Sequence, residues 1–141
     1  GGSSGDYATI KYAPNGDTLW IRRYNGPMSG EDVATALAVD DSGNVYVTGY
    51  SGIYPNYDYA TIKYAPNGDT LWARFYNGPG NGEDVAKGLT LDDSGYVYVT
   101  TDPEIAKRLS FKTETEIHRT VNRRTGRRSS EFFESVFVWR A

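Results

Sequence analysis

An internal repeat constrains the fold of this chain more than any other feature. The segment Asp6–Trp20, DYATIKYAPNGDTLW, recurs unchanged at Asp58–Trp72, 52 residues later. The likeness continues to VYVT at Val45–Thr48 and Val97–Thr100, so that 34 of 43 aligned positions are identical. A fixed period of this length is typical of propellers, solenoids and other repeat arrays. The repeat therefore predicts an architecture and leaves the chemistry open.

The first half of each copy has the pattern of a β-hairpin. Along Tyr7–Tyr12, alternate residues fall into two sets and the run is rich in β-branched and aromatic side chains, which indicates a strand with two different faces. The two sets are Tyr7, Thr9 and Lys11 on one face and Ala8, Ile10 and Tyr12 on the other. Pro14–Asp17 supplies a tight turn, and Thr18–Tyr24 is the predicted return strand.

The second half of each copy predicts another hairpin. Asp32–Val39 is rich in alanine, as helices often are, but the turn Asp41–Asn44 follows it at once. Val45–Thr48 then has the composition of a pairing strand, and the spacing of these runs favours strands over helices. Four strands in 52 residues, with turns every 8 to 12 residues, match one propeller blade per period.

The segments DYATIKY, GDTLW, YNGP and LAVDDSGNVYVTG closely resemble the bacterial β-propeller repeat family of the SBBP type. The resemblance covers about Asp6–Thr100. It implies that the LAVDDSGNVYV hairpin supplies the two inner strands of a blade and the DYATIKY to GDTLW hairpin the two outer strands. It also implies a secreted or cell-surface parent protein and a structural or binding role.

The fold class predicted is all-β, a partial propeller whose blades have four antiparallel strands. In this phasing Asp6–Tyr24 is an outer half-blade, Asp32–Tyr76 a complete blade and Asp84–Thr100 an inner half-blade. Residues 1–5, GGSSG, are interpreted as a linker or a remnant of cloning, residues 6–101 as the repeats and residues 102–141 as a separate tail.

The tail departs from the repeat in sequence and in charge. Residues 1–101 carry 6 basic and 12 acidic side chains, whereas residues 102–141 carry 9 and 6. Asp102 followed by Pro103 and Glu104 predicts a short helix. Ser110–Val121 and Glu131–Trp139 are then predicted to form a hairpin that packs on the repeats. A fusion junction and a slipped reading frame both remain open as its origin.

Two sets of side chains are candidate contacts for a ligand or partner. The first is aromatic, and its competing interpretation, inter-blade packing, is favoured. It consists of Tyr50, Tyr54 and Tyr57. The second is a basic cluster suited to phosphates, although a solvated hairpin tip is the favoured interpretation. It consists of Arg123, Arg124, Arg127 and Arg128.

Catalytic and metal chemistry lack their usual components in this sequence. The Asp-rich turns at 40–44 and 92–96 are too short for a calcium loop and are explained by turn chemistry. His118 is the single histidine, and there is no cysteine. Two neighbouring pairs of carboxylates, Glu31 with Asp32 and Glu83 with Asp84, could suggest acid–base catalysis, but neighbours on a strand point to opposite sides. No enzyme activity, cofactor or metal is therefore predicted.

The function predicted is that of a non-enzymatic propeller scaffold or binding module, with a protein or carbohydrate as possible ligand. The alternative is an engineered or truncated propeller fragment that only self-assembles, and a weaker one is nucleic-acid binding through the arginines. No membrane partner is predicted, because no run of 18 apolar residues occurs. Self-association is expected, with Asp6–Tyr24 of one copy completing Asp84–Thr100 of another.

Overall fold

The computed structural model describes residues 5–26, 30–78, 82–109 and 136–139. Within these ranges the chain forms antiparallel strands and one short helix, as the all-β prediction requires. The elements are β1 (Tyr7–Tyr12), β2 (Thr18–Tyr24), β3 (Glu31–Val39), β4 (Val45–Ile53), β5 (Asn56–Tyr64), β6 (Thr70–Tyr76), β7 (Gly88–Leu91), β8 (Val97–Thr100), α1 (Pro103–Leu109) and β9 (Val136–Trp139). No helix in the described ranges is long and apolar enough to cross a membrane.

The chain divides into two compact units, Gly1–Ala86 and Lys87–Ala141. In the first unit, β1 and β2 form a two-stranded sheet, and β3-β4-β5-β6 form a four-stranded sheet. In the second unit, β7, β8 and β9 form a three-stranded sheet. The predicted order of half-blade, complete blade and half-blade is therefore confirmed. The predicted domain boundary near residue 101 stays a prediction.

The core of the first unit lies between the β1–β2 hairpin and the four-stranded blade. Its buried side chains are Tyr7, Trp20, Val45, Val47, Ile62 and Tyr64. The hairpin contributes the face that holds Tyr7 and Trp20, and the blade contributes the face that holds Ile62 and Tyr64. The predicted alternation along β1 is confirmed, since Tyr7 and Thr9 are buried whereas Ile10 and Tyr12 are exposed.

The inner hairpin is much longer in the first unit than in the second. The sequence predicted a strand ending at Thr48, but β4 runs on to Ile53 because Gly49 continues the ladder past a bulge in β3. A Cβ on Gly49 would lie 1.8 Å from the carbonyl oxygen of Val33. Thr101 occupies the equivalent position in the second copy, and β8 ends one residue before it. A side chain at this position therefore explains the shorter strand.

The tail is described in part. The predicted helix is confirmed as α1, and Asp102 is its N-cap, because the N–H of Glu104 donates to Asp102 Oδ1 at 2.9 Å. The last residues of the predicted Glu131–Trp139 strand form β9, which pairs with β8. The other predicted strand, Ser110–Val121, lies outside the described residues, as do His118 and the four arginines.

Candidate functional site

The turn between β5 and β6 is held by three donors from the β1–β2 hairpin. Trp20 Nε1 donates to the carbonyl oxygen of Pro66 at 3.0 Å, and Lys11 Nζ donates to the same oxygen at 3.1 Å. Arg22 Nε donates to the carbonyl oxygen of Gly68 at 2.6 Å. Charged donors make the stronger hydrogen bonds of such a set. Side chains of the β1–β2 hairpin thus bind the backbone carbonyls of the β5–β6 turn.

Two aspartates, one in each copy of the repeat, make the same pair of backbone contacts. Asp32 Oδ2 accepts from the N–H of Gly26 at 2.8 Å, and the N–H of Asp32 donates to the carbonyl oxygen of Gly5 at 2.8 Å. We call Asp32 and its counterpart Asp84 the junction aspartates. Asp84 Oδ2 accepts from the N–H of Gly78 at 2.5 Å, and its N–H donates to the carbonyl oxygen of Tyr57 at 2.7 Å.

Sequence reasoning missed the role of the junction aspartates, because it considered them only as partners in acid–base catalysis. The signal was present: an aspartate follows a glycine by six residues in both copies. Asp32 is buried; its Oδ2 accepts from a backbone N–H, and its Oδ1 has no hydrogen-bond partner among the described residues. Its chemistry is that of a structural cap.

One face of the β1–β2 hairpin is exposed, although its counterpart in the β5–β6 hairpin is mostly buried. We define this open face as Ala8, Ile10, Tyr12 and Ile21, all of which are exposed. Ile10 is 41% exposed, whereas Ile62 at the equivalent position is 2% exposed. Tyr12 is 59% exposed and Tyr64 is 2% exposed. The two hairpins share the isoleucine and the tyrosine at these two positions, so the difference arises from the hairpin that covers Ile62 and Tyr64.

The inner hairpin of the complete blade shows the same contrast. Leu37 and Val39 on β3 are each 56% exposed, whereas Leu89, the equivalent of Leu37, is 9% exposed. Leu37 pairs with Val47 across the sheet, and Val47 pairs with Ile62, so the three lie on one face. The blade face that the β1–β2 hairpin covers therefore continues onto β3, where Leu37 and Val39 are exposed.

Two buried polar atoms of β1 lack a hydrogen-bond partner among the described residues. They are Thr9 Oγ1 and Tyr7 Oη. The Tyr64 hydroxyl lies near Thr9, but no hydrogen bond of normal geometry joins them. Burial raises the pKa of Tyr7 far above its usual value, with Tyr64, Tyr24 and Asp32 adding to the effect, so Tyr7 stays neutral. Uncompensated buried hydroxyls are uncommon in folded proteins.

The three tyrosines singled out from the sequence lie together around the β4–β5 turn. The ring centroids of Tyr50 and Tyr57 are 4.9 Å apart, and those of Tyr54 and Tyr57 are 6.3 Å apart. We call Tyr50, Tyr54 and Tyr57 the aromatic cluster. Tyr57 is buried and Tyr50 half-buried, whereas Tyr54 is 73% exposed. The cluster therefore combines packing with one ring that faces solvent.

Carboxylates surround the aromatic cluster. Tyr57 Oη donates to Glu31 Oε2 at 2.9 Å, and this hydrogen bond, followed by burial, raises the pKa of Tyr57. Burial raises the pKa of Tyr50, and the charges of Glu31 and Glu83 add to it. Burial and then the charge of Asp84 raise the pKa of Asp58 close by. The three phenol rings of the cluster thus lie in a negatively charged environment, which keeps the hydroxyls of Tyr50 and Tyr57 neutral.

The Asp-rich turns use their aspartates for local hydrogen bonds. Asp40 Oδ1 accepts from the N–H groups of Ser42 and Asn44, at 3.0 and 2.9 Å. Asp40 Oδ2 accepts from Asn44 Nδ2 and from Tyr46 Oη, at 2.8 and 3.1 Å. Burial opposes ionisation of Asp40, but these hydrogen bonds outweigh it and hold the pKa of the carboxyl below its usual value. Asp92 makes the same backbone bonds in the second copy.

The described residues hold no group of three or more histidine, cysteine, aspartate or glutamate side chains that could bind a metal ion. The basic cluster from Arg123 to Arg128 lies outside the described residues, so its candidate role stays a prediction. Among the described residues, the open face and the aromatic cluster are candidate surfaces for recognition.

A family model agrees with this architecture. A search of curated proteins finds no match. The family model described as "Beta-propeller repeat" (SBBP) matches residues 19–55. This segment runs from β2 through β3 and β4, that is, from an outer strand into the inner hairpin of the next blade. The resemblance drawn from the sequence is confirmed there, since residues 19–55 match the beta-propeller repeat of the SBBP family.

Proposed function

We propose that this chain is a non-enzymatic propeller scaffold that works by associating with copies of itself through the open face. The observation that carries the proposal is the contrast between Ile10 and Ile62, which have the same sequence neighbours but are 41% and 2% exposed. Water contact of such residues is unfavourable by about 25 cal/mol for each Å² of apolar area. Contiguous exposed apolar surface of this kind is typical of interaction sites.

The surface that fits the open face is present on the same chain. We call the contact between the β1–β2 and β5–β6 hairpins the junction. There, the face of the β1–β2 hairpin that covers Ile62 and Tyr64 carries Lys11, Trp20 and Arg22. The β5–β6 hairpin repeats these residues as Lys63, Trp72 and Arg74. The hairpin of a second copy therefore offers the chemistry that the first copy uses for this contact.

The acceptor side of the junction is also repeated. A Cβ on Gly68 would lie 2.8 Å from the ring of Trp20, whereas one on Gly16, at the equivalent turn, would meet nothing within 4 Å. The turn before β2 is thus uncovered, on the same hairpin as the open face. Two different patches meet in this contact, so it is head-to-tail and forms a ring if the rotation closes. Propellers usually close with four to eight blades, which corresponds to about two to four copies of this chain.

Light scattering during gel filtration tests the proposal. The native chain is expected to form an oligomer that dissociates on dilution. Ile10→Asp places a charge on the open face and is expected to give monomers. The matched control is Leu19→Asp on the same hairpin, because Leu19 and its equivalent Leu71 are both about half exposed, at 56% and 51%. A native chain that stays monomeric at every concentration would disprove the proposal.

A second candidate function is ligand binding at the aromatic cluster, and the exposed ring of Tyr54 favours it. Aromatic faces beside carboxylates suit sugars, which stack on rings and donate hydroxyl groups to acceptors. Soluble oligosaccharides are the probes, and amide chemical shifts in the β4–β5 turn are the readout. Tyr54→Ala is expected to remove the response, whereas Ile53→Ala, its exposed aliphatic neighbour, is expected to keep it. The absence of shifts with all probes would exclude carbohydrate as the ligand.

The non-enzymatic part of the proposal is supported by what the carboxylates do. Asp40 and Asp92 accept hydrogen bonds on both carboxylate oxygens, from backbone N–H groups and from a tyrosine hydroxyl. A general base needs instead a free acceptor within reach of a substrate proton. Nucleic-acid binding through the arginine cluster stays the weaker alternative. Its test is binding of DNA or RNA at low salt, with an affinity that falls steeply as salt is raised.

A further inference from the structure

We infer that the free edge of β1 pairs with β8 of a second copy, and that β9 occupies this position on β8 in the single chain. The inference rests on the proposed self-association and adds to it the strands, the register and an internal competitor. It concerns an edge-to-edge contact, whereas the proposed function concerns contact between faces. The two are therefore tested by different variants.

Among the described strands, the edge of β1 is unpaired where its repeat is paired. β5 lies between β4 and β6, whereas β1, which shares the sequence YATIKY, has only β2 beside it in the part of the chain that the structure describes. An unpaired edge presents N–H and C=O groups that act as a template for another strand. The equivalent of β4 in the second copy is β8, since both have the sequence VYVT.

The register on β8 is already that of a blade. On β4, the residues Val45, Tyr46, Val47 and Thr48 lie opposite Tyr64, Lys63, Ile62 and Thr61 of β5. On β8, the residues Val97, Tyr98, Val99 and Thr100 lie opposite Trp139, Val138, Phe137 and Val136 of β9. β9 therefore occupies the same antiparallel position beside β8 that β5 occupies beside β4. Replacing β9 by β1 would place Tyr12, Lys11, Ile10 and Thr9 in these positions.

The buried hydroxyl of Thr9 identifies the partner. In the complete blade, Thr61 Oγ1 and Thr48 Oγ1 are 2.9 Å apart and hydrogen-bonded across β4 and β5. Thr9 is the equivalent of Thr61, is buried, and has no hydrogen bond to Oγ1 among the described residues. The equivalent of Thr48 is Thr100, whose Oγ1 accepts from the N–H of Asp102 and retains its own proton to donate. Pairing β1 with β8 supplies the acceptor and the donor together.

A second cross-strand contact points to the same partner. Lys63 Nζ lies 5.1 Å from the centre of the Tyr46 ring, opposite it on the neighbouring strand. Lys11 would face Tyr98 in the same way. In the single chain, Val138 of β9 is opposite Tyr98 in the strand register. Pairing with β1 would therefore bring a lysine opposite Tyr98 and a threonine opposite Thr100.

Disulfide trapping tests the register directly, because the chain has no cysteine of its own. Thr9→Cys and Thr100→Cys are prepared separately, mixed and oxidised mildly. Directly opposed residues in neighbouring strands have Cβ atoms near the separation that a disulfide needs. The mixture is expected to give a covalent dimer. The control is Ala8→Cys with Thr100→Cys, because Ala8 points to the other side of β1, and this pair is expected to give little or none.

A second variant keeps the test valid if the cysteines disturb folding. Thr9→Val removes the unpartnered hydroxyl and keeps the side-chain shape, so the monomer is expected to unfold as the native chain does. Self-association is expected to weaken about tenfold, which corresponds to one lost hydrogen bond. Thr61→Val, where the hydrogen bond already exists, is expected to destabilise the monomer instead. Equal effects of the two variants on the monomer would overturn the inference.

Competition between β9 and β1 for the edge of β8 is tested in the full chain with Val138→Pro. Proline removes a backbone donor from β9 and weakens its pairing with β8. If β8 is open in only about a tenth of single chains, freeing it lowers the apparent Kd for association about tenfold. Unchanged or weaker association would show that β9 does not compete. If oligomers form but no disulfide joins the Thr9→Cys and Thr100→Cys variants, the inference is overturned and the proposed function stands. A chain that never associates would end both.

Discussion

The two outer hairpins of this chain have nearly the same sequence and different surroundings. In β5–β6, one face is buried beneath the β1–β2 hairpin, and in β1–β2 the equivalent face is exposed. Each repeat forms its strands and turns by itself, with the same register and the same bulge at its end. Burial, in contrast, depends on the neighbouring blade. The comparison shows that local structure is a property of the repeat and that the core is a property of the pair.

The largest expected effect separates the two equivalent tryptophans. Trp20 is buried in the junction and donates to Pro66, whereas Trp72 is half-buried. Trp20→Ala is expected to lower the free energy of unfolding of the monomer by about 3–5 kcal/mol. Trp72→Ala is expected to cost on the order of 1 kcal/mol, since less area is lost. Urea unfolding at low protein concentration measures both, and equal losses would contradict the comparison.

The junction aspartates give an intermediate effect. Asp32→Ala leaves the buried N–H of Gly26 without its acceptor, so a loss of about 1–3 kcal/mol in the free energy of unfolding is expected. Asp17→Ala is the control, because Asp17 is exposed and bonds only within its own turn. Urea unfolding is again the measurement. A control that costs as much as Asp32→Ala would show that the junction does not depend on this carboxylate.

The smallest expected effect is a pH dependence from Asp40. Its folded-state pKa is lowered from the usual value of 3.8, so the ionised carboxylate stabilises the fold. This contribution is fully present above that value and is lost as the pH falls through the lower, folded-state pKa. Asp40→Asn is expected to reduce the fall in the urea midpoint between pH 5 and pH 2, which is roughly the window for such carboxylates. Asp41→Asn, which makes none of these bonds, is the control, and the same change in both would contradict the assignment.

Much of the fold follows from the sequence because the repeat is local. Turn residues such as those of Pro14–Asp17 and alternating strands such as Tyr7–Tyr12 determine the hairpins within a few residues. The start of α1 was equally readable from Asp102. The length of β4 was not, because it depends on a close approach between Gly49 and Val33 that only the paired strands define.

The candidate site was less predictable, since it depends on which faces are covered. The sequence placed Tyr50, Tyr54 and Tyr57 in one segment, and the structure brings the three rings together. The exposure of Ile10 could not be read from the sequence, because Ile62 has the same neighbours and is buried. Which of two identical strands lacks a partner is decided by packing over long distances along the chain.

The measurement that tests the central claim most directly is amide hydrogen exchange of β1 and β5 at several protein concentrations. The two strands share one sequence, so intrinsic exchange rates match and any difference in protection reports the surroundings. The claim predicts strong protection of β5 at every concentration, and protection of β1 that rises as the chain associates. Equal protection of both strands in the dilute monomer, or a β1 that stays unprotected in the oligomer, would contradict it.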